Sequence, residues 1–407
     1  MELLSPAGNL EKLKYALAYG ADAVYAGGKE YSLRAKADNF DAEDLKSAVE
    51  YCHSLGKKLY VTVNIFAHEQ DFREMPEYLR YLDQIGVDAV IASDPGVISL
   101  IQAHTSLPIH ISTQANVTSS ESVKFWKRMG IKRIILAREL TRNEIEVIRN
   151  DNPDVELEIF VHGAMCISYS GRCLLSAFLN DRPANRGLCT HPCRWTYSLV
   201  EESRPDQNFP IEEDEHGTYI LNSKDLCLLD QIADIRALGI DSVKIEGRMK
   251  SLYYVANVTR IYRNAIALAE QGHPIPEKLR GELDKISHRP YTGGFYMGNG
   301  SLEMQTYGKD TYERDYQFIG RILDQTGTEF SVECGSKFVT GDELELIFPN
   351  MDKDITITVN EFTNSDGEPV SFSKPNQVFR IPIGQDLPKM GIVRMERKLL
   401  NRTTECD

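Results

Sequence analysis

Five of the eight cysteines lie close together in the chain, at Cys166, Cys173, Cys189, Cys193 and Cys227. Their neighbours are polar, glycine-rich and basic, whereas a buried free cysteine normally packs among apolar side chains. A disulfide framework would need an oxidising compartment, which no feature of the chain indicates. The residue types and their surroundings therefore indicate thiolates that bind a metal centre.

The spacing of these thiols bears on the kind of metal centre. Structural zinc sites usually pair their cysteines at short intervals such as C-x2-C. Here the intervals from Cys166 to Cys173, on to Cys189 and on to Cys227 are long and uneven, and Cys193 is an additional thiol. An iron–sulfur cluster is larger than one ion, so separate loops can reach its corners. The open spacing favours a cluster, with zinc as the alternative.

The composition is typical of a globular protein: 407 residues, of which 42% are hydrophobic and 26% charged. The first residues lack the basic and apolar regions of a signal peptide, and no apolar run approaches the ~18 residues of a membrane span. We therefore expect a cytoplasmic protein with no membrane association. The net charge of −14 argues against unspecific adhesion to nucleic acid but allows a local basic surface that docks one folded RNA.

One motif recurs in the first 250 residues and marks where helices end and strands begin. Gly20, Gly86, Gly130 and Gly239 each follow a helical pattern and precede a β-branched run. Glycine ends helices because it adopts the left-handed conformation at little cost. Continuously apolar runs are typical of strands buried on both faces. They predict eight strands, at Glu2–Leu4, Ala23–Ala26, Lys58–Ile65, Ala89–Ala92, Ile109–Thr113, Arg133–Ala137, Leu157–Val161 and Ser242–Ile245.

Eight strands that mostly alternate with helices predict an α/β fold, a TIM-like (β/α)8 barrel. A doubly wound open sheet is the alternative, but no G-x-G-x-x-G follows the first strand. Active sites of such barrels lie at the carboxyl ends of the strands. The residues at those ends are polar and of mixed charge, and they include Asn64, Gln114, Arg138, His162, Glu246 and Arg248.

The pattern divides the chain into two predicted domains. Residues 1–300 form the barrel, and residues 164–226 are an insertion between its strands seven and eight that carries the cysteines over the barrel mouth. Residues 301–315 are a linker. From 316 to 407 the apolar pattern has a period of two and is broken by Gly-Thr, Gly-Asp and Pro-Asn turns. This pattern predicts a small β-barrel domain.

The residues around the cysteines also match a known pattern. The run Glu158-Ile-Phe-Val-His-Gly-Ala-Met-Cys-Ile-Ser-Tyr-Ser-Gly-Arg-Cys173 resembles the signature of peptidase family U32. The resemblance extends along essentially the whole chain, and the two-domain length is similar to that of the tRNA-hydroxylating branch of the family. Further matches are Asn185-Arg-Gly-Leu-Cys189, Cys193-Arg-Trp195, Ser223-Lys-Asp-Leu-Cys227 and Ile245-Glu-Gly-Arg-Met249.

The resemblance implies a cofactor and a substrate. Members bind a 4Fe-4S cluster through four cysteines, which correspond here to Cys166, Cys173, Cys189 and Cys227. The branch implies oxygen-independent hydroxylation that gives 5-hydroxyuridine at the wobble position of the tRNA anticodon loop, linked to prephenate as hydroxyl donor. Because an anticodon loop already presents its wobble base nearly unstacked, extruding that base should cost at most roughly a few kcal/mol.

Side chains of the predicted mouth can be assigned roles under this hypothesis. Prephenate is a dicarboxylate, so it requires guanidinium or ammonium partners with bidentate geometry. His162 and Glu246 are candidates for moving protons, and Arg248 completes the predicted catalytic set. The predicted substrate-binding residues are Arg34, Asn64, Gln114, Arg138, Arg172 and Lys250.

Two other functions stay open from the sequence. One is a collagenase-like cysteine or metal-dependent peptidase, with Cys166 as nucleophile beside His162, although no third group orients that pair. The other is a non-catalytic RNA-binding or assembly subunit with a structural cluster, which normal RNA modification by a Glu246→Gln, Arg248→Ala double variant would favour. The sequence leaves open a paralogous or homo-oligomeric partner.

Overall fold

The chain divides into two units. A computed structural model describes residues 1–33, 38–166, 168–170, 172–182, 184–194, 213–214, 217–218, 224–298 and 312–397. The first unit comprises Met1–Arg280 and Arg289–Tyr312, and the second comprises Gly281–His288 and Glu313–Asp407. Most of the cysteine-bearing insertion between residues 195 and 223, and the predicted linker up to residue 311, lie outside the described residues.

The first unit is built on a closed barrel of parallel strands. The strands of this unit, including four outside the barrel ring, are β1 (Glu2–Pro6), β2 (Ala23–Gly27), β3 (Lys58–Thr62), β4 (Ala89–Ala92), β5 (Ile109–Ile111), β6 (Arg133–Ile135), β7 (Glu156–Ala164), β8 (Glu213–Asp214), β9 (Gly217–Thr218), β10 (Asp225–Cys227), β11 (Ser242–Ile245) and β12 (Tyr291–Thr292). Strands β1 to β7 pair in chain order, and β11 pairs with both β7 and β1, which closes the ring. The predicted eight-stranded TIM-like barrel is therefore confirmed.

Helices connect the barrel strands. They are α1 (Leu10–Ala18), α2 (Ala42–Ser54), α3 (Met75–Gln84), α4 (Pro95–His104), α5 (Ser120–Arg128), α6 (Arg142–Asp151), α7 (Leu175–Asn180), α8 (Ile232–Ala237), α9 (Leu252–Glu270) and α10 (Glu277–Asp284). Short 3₁₀ turns occupy Thr113–Ala115, Ala184–Arg186, Pro192–Arg194, Leu229–Gln231, Gly294–Met297 and Met351–Lys353. Across the described residues, none of the helices has the length and apolarity needed to cross a bilayer.

Local sequence explains where these helices begin and end. Asp41 caps α2 by accepting a hydrogen bond from the Asp44 amide, and Thr141 forms a reciprocal capping box with Glu144 at α6. The four recurring glycines end helices as predicted. Their φ values are +108° at Gly20, +81° at Gly86, +82° at Gly130 and +78° at Gly239. A side chain at these positions would strain the turn that feeds the next strand.

Strand β7 is longer than predicted, and the segment around Cys227 differs from the prediction. The apolar positions after Asp225 predict the start of a helix, but Asp225–Cys227 forms β10, which pairs antiparallel with the end of β7. This pairing extends β7 to Ala164, so His162 lies inside the strand, directly opposite Cys227. The ladder depends on a partner some sixty residues away in the chain, which local periodicity does not reveal.

The second unit is an antiparallel half-barrel. Its strands are β13 (Tyr316–Thr326), β14 (Glu329–Cys334), β15 (Glu343–Ile347), β16 (Ile355–Thr358), β17 (Thr363–Asn364), β18 (Val378–Pro382) and β19 (Ile392–Glu396), in the spatial order β16-β15-β19-β13-β14-β18-β17. Alternate residues point inward, and the rings of Phe338, Phe362 and Phe379 pack together in an apolar core. The predicted period of two is thus confirmed.

Candidate functional site

A cavity of about 280 Å³ opens at the carboxyl ends of the barrel strands. Apolar strand residues such as Ile91, Ile135 and Phe160 form part of its wall. The same cavity collects most of the residues predicted to act together, namely Asn64, Gln114, Arg138, Cys166, Cys173, Cys189, Glu246, Arg248 and Lys250. A mostly apolar pocket with a few converging polar groups at this end of a barrel is the expected form of an active site.

His162 and Cys227 lie outside this lining and share a neighbour. His162 is 1% exposed, and the rings of Tyr254, Tyr262 and Tyr291 surround its imidazole at centroid distances of 5.4 to 5.9 Å. The Tyr262 hydroxyl lies 3.3 Å from His162 Nδ1 and 3.7 Å from Cys227 Sγ, and it donates a hydrogen bond to the Val161 carbonyl. Burial raises the pKa of Tyr262 well above its ordinary value, which keeps this hydroxyl protonated.

Arg172 also lies outside the lining, on an exposed part of the cysteine-bearing segment. Its guanidinium carbon is 5.4 Å from the centre of the Phe66 ring. On the same segment Phe178 is 86% exposed and Tyr169 is 49% exposed. Arg34, the remaining predicted residue, lies outside the described residues. This segment therefore presents aromatic rings and a guanidinium together at the surface.

Arg248 is fixed by hydroxyl groups of two neighbouring elements. Its Nη1 donates to Ser32 Oγ at 2.7 Å and to Thr62 Oγ1 at 3.1 Å. A Cβ atom at Gly27 would collide with this guanidinium, so glycine at the end of β2 is what leaves room for it. Arg248 is thereby held rigidly in the cavity wall.

Arg138 and Glu246 form an ion pair in the cavity lining. Arg138 Nη2 is 3.7 Å from Glu246 Oε2, its Nη1 donates to the Ala164 carbonyl at 3.0 Å, and its guanidinium carbon lies 3.9 Å from the Phe160 ring centre. Arg138 Nε is buried and has no hydrogen-bond acceptor within the described part of the chain. The Tyr25 hydroxyl lies 3.4 Å from Glu246 Oε2. A ligand could accept a hydrogen bond from Arg138 while Glu246 exchanges a proton.

Lys244 is a cavity residue that the sequence analysis missed. Its ammonium lies 3.1 Å from Glu158 Oε1 inside the barrel and 4.4 Å from the centre of the Tyr25 ring. Burial lowers the pKa of Lys244, and the Glu158 carboxylate opposes that shift. A signal for it exists in the sequence: charged residues occupy every second position from Lys244 to Lys250, which places them on one side of an extended chain.

No disulfide joins the thiols at the mouth within the described residues. Three of the four implied cluster ligands, Cys166, Cys173 and Cys189, line the same cavity, and Cys227 lies in β10 beside it. In the part of the chain that the structure describes, no three His, Cys, Asp or Glu side chains are close enough to hold one metal ion. Cysteine thiolates are the usual ligands of iron–sulfur clusters, so the donor types match such a cluster, although no three of these side chains converge on one point among the described residues.

Two other cysteines differ sharply from this group. Cys52 and Cys334 are buried in apolar cores, and burial raises the pKa of each thiol to about 12. A thiol that stays protonated is a poor metal ligand, because ligation requires the thiolate. These two residues are therefore core residues.

Together, fold and site define a class: a TIM-like barrel with cysteines at its mouth, followed by an antiparallel half-barrel. The chain belongs to peptidase family U32. The model of that family matches residues 8–306, and the model of the peptidase family U32 C-terminal domain matches residues 314–394.

Relatives of the chain carry different names. It is 41% identical to tRNA hydroxylation protein P of Escherichia coli K12, over 99% of this chain and 98% of that protein. It is 37% identical to tRNA hydroxylation protein P1 of Bacillus subtilis 168, over 97% of this chain and 94% of the other. It is also 32% identical to a protein of Porphyromonas gingivalis W83 named collagenase, over 86% of both chains.

Proposed function

We propose that this protein hydroxylates tRNA, producing 5-hydroxyuridine at the wobble position without oxygen and with prephenate as hydroxyl donor, in the cytoplasm. The observation that carries the proposal is a single cavity lined by thiols, cations and a carboxylate. Near full-length similarity to two proteins named for tRNA hydroxylation supports the choice of RNA as substrate.

The proposed cofactor is a 4Fe-4S cluster held by Cys166, Cys173, Cys189 and Cys227. When bound, such a cluster supplies one-electron chemistry that amino-acid side chains perform poorly. Tyr262 would position one of these ligands, because its hydroxyl donates to the Val161 carbonyl and lies 3.7 Å from Cys227 Sγ.

Cations of the cavity would bind the carboxylates of prephenate. Arg138 contributes a buried Nε–H with no hydrogen-bond acceptor among the described residues, and Arg248 contributes a guanidinium fixed by two hydroxyls. Lys250 adds a third positive charge to the lining. Glu246, which lies 3.7 Å from Arg138, is the carboxylate placed to accept or return a proton at Oε2.

The exposed side chains of the cysteine-bearing segment suit an unpaired RNA loop. Ser170 and Cys173 of that segment line the cavity, while its neighbours Tyr169, Arg172 and Phe178 are exposed. Unstacked bases bind by stacking on aromatic rings and on arginine guanidinium planes. Bases flanking the target uridine could therefore stack at the rim while the target enters the cavity.

An anaerobic preparation tests cofactor and reaction together. We expect a brown protein with about four irons and four sulfides per chain, in line with one 4Fe-4S cluster. Incubated with reductant, prephenate and tRNA that lacks the modification, it should form 5-hydroxyuridine, measured by nucleoside mass spectrometry. If iron-free protein still hydroxylates tRNA, the cluster is not the cofactor of the reaction. If iron-loaded protein leaves tRNA unchanged, tRNA is not the substrate.

A peptidase is the second candidate, and one contact favours it. His191 Nδ1 lies 4.0 Å from Cys189 Sγ, which is a thiol–imidazole pair at the cavity, and one relative is named collagenase. A cysteine peptidase would cleave gelatin in the presence of a chelator and lose that activity on Cys189→Ala. Gelatin left intact by the wild-type protein would exclude this candidate.

A further inference from the structure

The barrel interior holds an alternating series of charges. Arg133 Nη1 lies 2.5 Å from Glu2 Oε1 and 3.6 Å from Glu158 Oε2, and Lys244 Nζ lies 3.1 Å from Glu158 Oε1. Glu158 is completely buried, and Lys244 is 3% exposed. Buried ion pairs rarely stabilise a fold more than apolar residues of the same size, so such a pair invites a functional explanation.

Lys244 ends this series at the cavity. Its ammonium lies 4.4 Å from the Tyr25 ring centre and 5.5 Å from that of Phe160, and the residue contributes to the cavity lining. Aromatic faces attract a cation without consuming its hydrogen-bond donors. An ammonium has three such donors, and Glu158 accepts from one of them at 3.1 Å.

The charges around Lys244, which forms the floor of the cavity, favour an anionic ligand. Among the described residues, four cations line the cavity, Arg138, Lys244, Arg248 and Lys250, against the single carboxylate of Glu246. Even when Glu158, which pairs with Lys244 from the barrel interior, is included, positive charges outnumber negative ones. An excess of positive charge in a partly desolvated pocket attracts small anions, in contrast to the protein's overall net charge of −14.

We infer that Lys244 binds a carboxylate of the small co-substrate at the cavity floor, and that Glu158 is the positioning residue that keeps this lysine charged. The inference deepens the proposed function, because it assigns an anchor to the carboxylate-bearing partner of the reaction. Arg138 and Arg248, in the same lining, would receive a second carboxylate, so that a dicarboxylate is bound at two points.

Removing both charges of the Glu158–Lys244 pair allows an effect on ligand binding to be measured without a loss of protein stability. The Glu158→Gln, Lys244→Met double variant replaces the pair by neutral groups of similar size, and it should fold with a thermal midpoint close to that of the wild type. Malonate, used as a dicarboxylate probe, should bind this variant at least tenfold more weakly in calorimetry. Lys57→Met is the matched control, because it removes a lysine paired with Asp22 outside the cavity, and it should bind malonate normally.

A pH series tests the role of Glu158. The groups that face Lys244 are Glu158 of β7, Tyr25 of β2, His110 of β5, Glu246 after β11 and Arg138 after β6. Burial holds the pKa of His110 well below its ordinary value, so His110 stays neutral above pH 7. Glu158→Gln removes the carboxylate that favours the protonated form of Lys244. As pH is raised, the ammonium should therefore lose its proton, and the protein its affinity for malonate, at a lower pH in this variant than in the wild type.

The possible outcomes are distinct from those of the hydroxylation assay. Malonate that binds the double variant as tightly as the wild type, or no malonate binding by the wild type, would overturn the inference. An unshifted pH profile in Glu158→Gln would overturn the role of Glu158. If the wild type binds malonate through Lys244 but leaves tRNA unchanged, the inference stands and the proposed reaction fails.

Discussion

Two buried cations, one in each unit, show how differently the same kind of charge can be used. Arg394 of the half-barrel is 1% exposed and is enclosed by two carboxylates, with contacts of 2.8 Å to both oxygens of Glu282 and 2.6 Å to Glu345. Lys244 of the barrel is nearly as buried, but its ion pair is with a single carboxylate, Glu158, and it also faces aromatic rings and a cavity that contains Glu246 and Arg138.

The difference distinguishes a structural charge from a functional one. A guanidinium with its donors engaged by fixed carboxylates has little capacity left for a ligand, so Arg394 contributes to stability. An ammonium with donors directed at a cavity keeps that capacity, so Lys244 contributes to binding. Substitutions at the barrel mouth should therefore change activity more than stability, and substitutions around Arg394 should do the reverse.

The largest effect is expected from the thiols at the mouth. Cys227→Ser removes a proposed cluster ligand, so iron content and tRNA hydroxylation should both fall below detection while the far-ultraviolet circular dichroism stays that of the wild type. Cys193→Ser is the matched control, because this thiol lines the cavity, as three of the proposed ligands do, but is not in the proposed ligand set. Loss of iron from Cys193→Ser with normal iron in Cys227→Ser would show that the assignment of ligands is wrong.

A large loss of stability is expected in the half-barrel. Arg394→Met removes the guanidinium that contacts both Glu282 and Glu345 while Lys285 stays in contact with them, which should lower the free energy of unfolding of this unit by about 3 kcal/mol in urea denaturation. Arg321→Met breaks an ion pair with Glu333 at a partly exposed position and should cost less than about 1 kcal/mol. Equal losses from the two substitutions would contradict the structural role of Arg394.

The same network predicts a pH dependence of stability. Glu345 is partly buried, which alone would raise its pKa, but Arg394 and Lys285 hold the pKa below its ordinary value. A carboxyl with a depressed pKa stabilises the fold fully above its ordinary value of about 4.3 and loses that contribution as pH falls through the lower, folded value. Acid unfolding of Glu345→Gln should accordingly show a weaker dependence on pH below pH 4.3 than the wild type.

A smaller effect on activity is expected at Glu246. Glu246→Gln keeps the shape of the side chain but removes the proton acceptor, so turnover at saturating substrate should fall about 100-fold with little change in the thermal midpoint. Glu139→Gln is the control, since it changes a carboxylate that follows Arg138 in the chain but is not in the cavity lining. Turnover unchanged in Glu246→Gln would remove this residue from the catalytic set.

The smallest effect is expected from a single methyl group. Gly27→Ala introduces a Cβ that collides with the Arg248 guanidinium, so this guanidinium must move without any loss of charge. We expect the KM for the carboxylate co-substrate to rise about tenfold, in line with one weakened charge-assisted hydrogen bond. Gly56→Ala, at a turn with open space around it, should leave KM unchanged.

Periodicity and glycine placement were sufficient to predict the barrel and the half-barrel, because both signals are local. Most of the cavity followed from the rule that strand ends converge. Lys244 was not predicted, because the local sequence Ser-Val-Lys-Ile does not show which residue pairs with a charge inside an apolar strand. Its partner Glu158 lies on β7, the neighbouring strand in space. The β10 strand escaped for the same reason, since it depends on pairing with the end of β7.

The most direct test of the proposed function is a nucleoside profile after complementation. A bacterial strain whose tRNA lacks 5-hydroxyuridine and its derivatives should regain them when it expresses this chain, but not when it expresses the Cys227→Ser variant at the same level. Mass spectrometry of digested tRNA measures both. Unmodified tRNA in the strain that expresses the wild-type chain at a confirmed level would contradict the account.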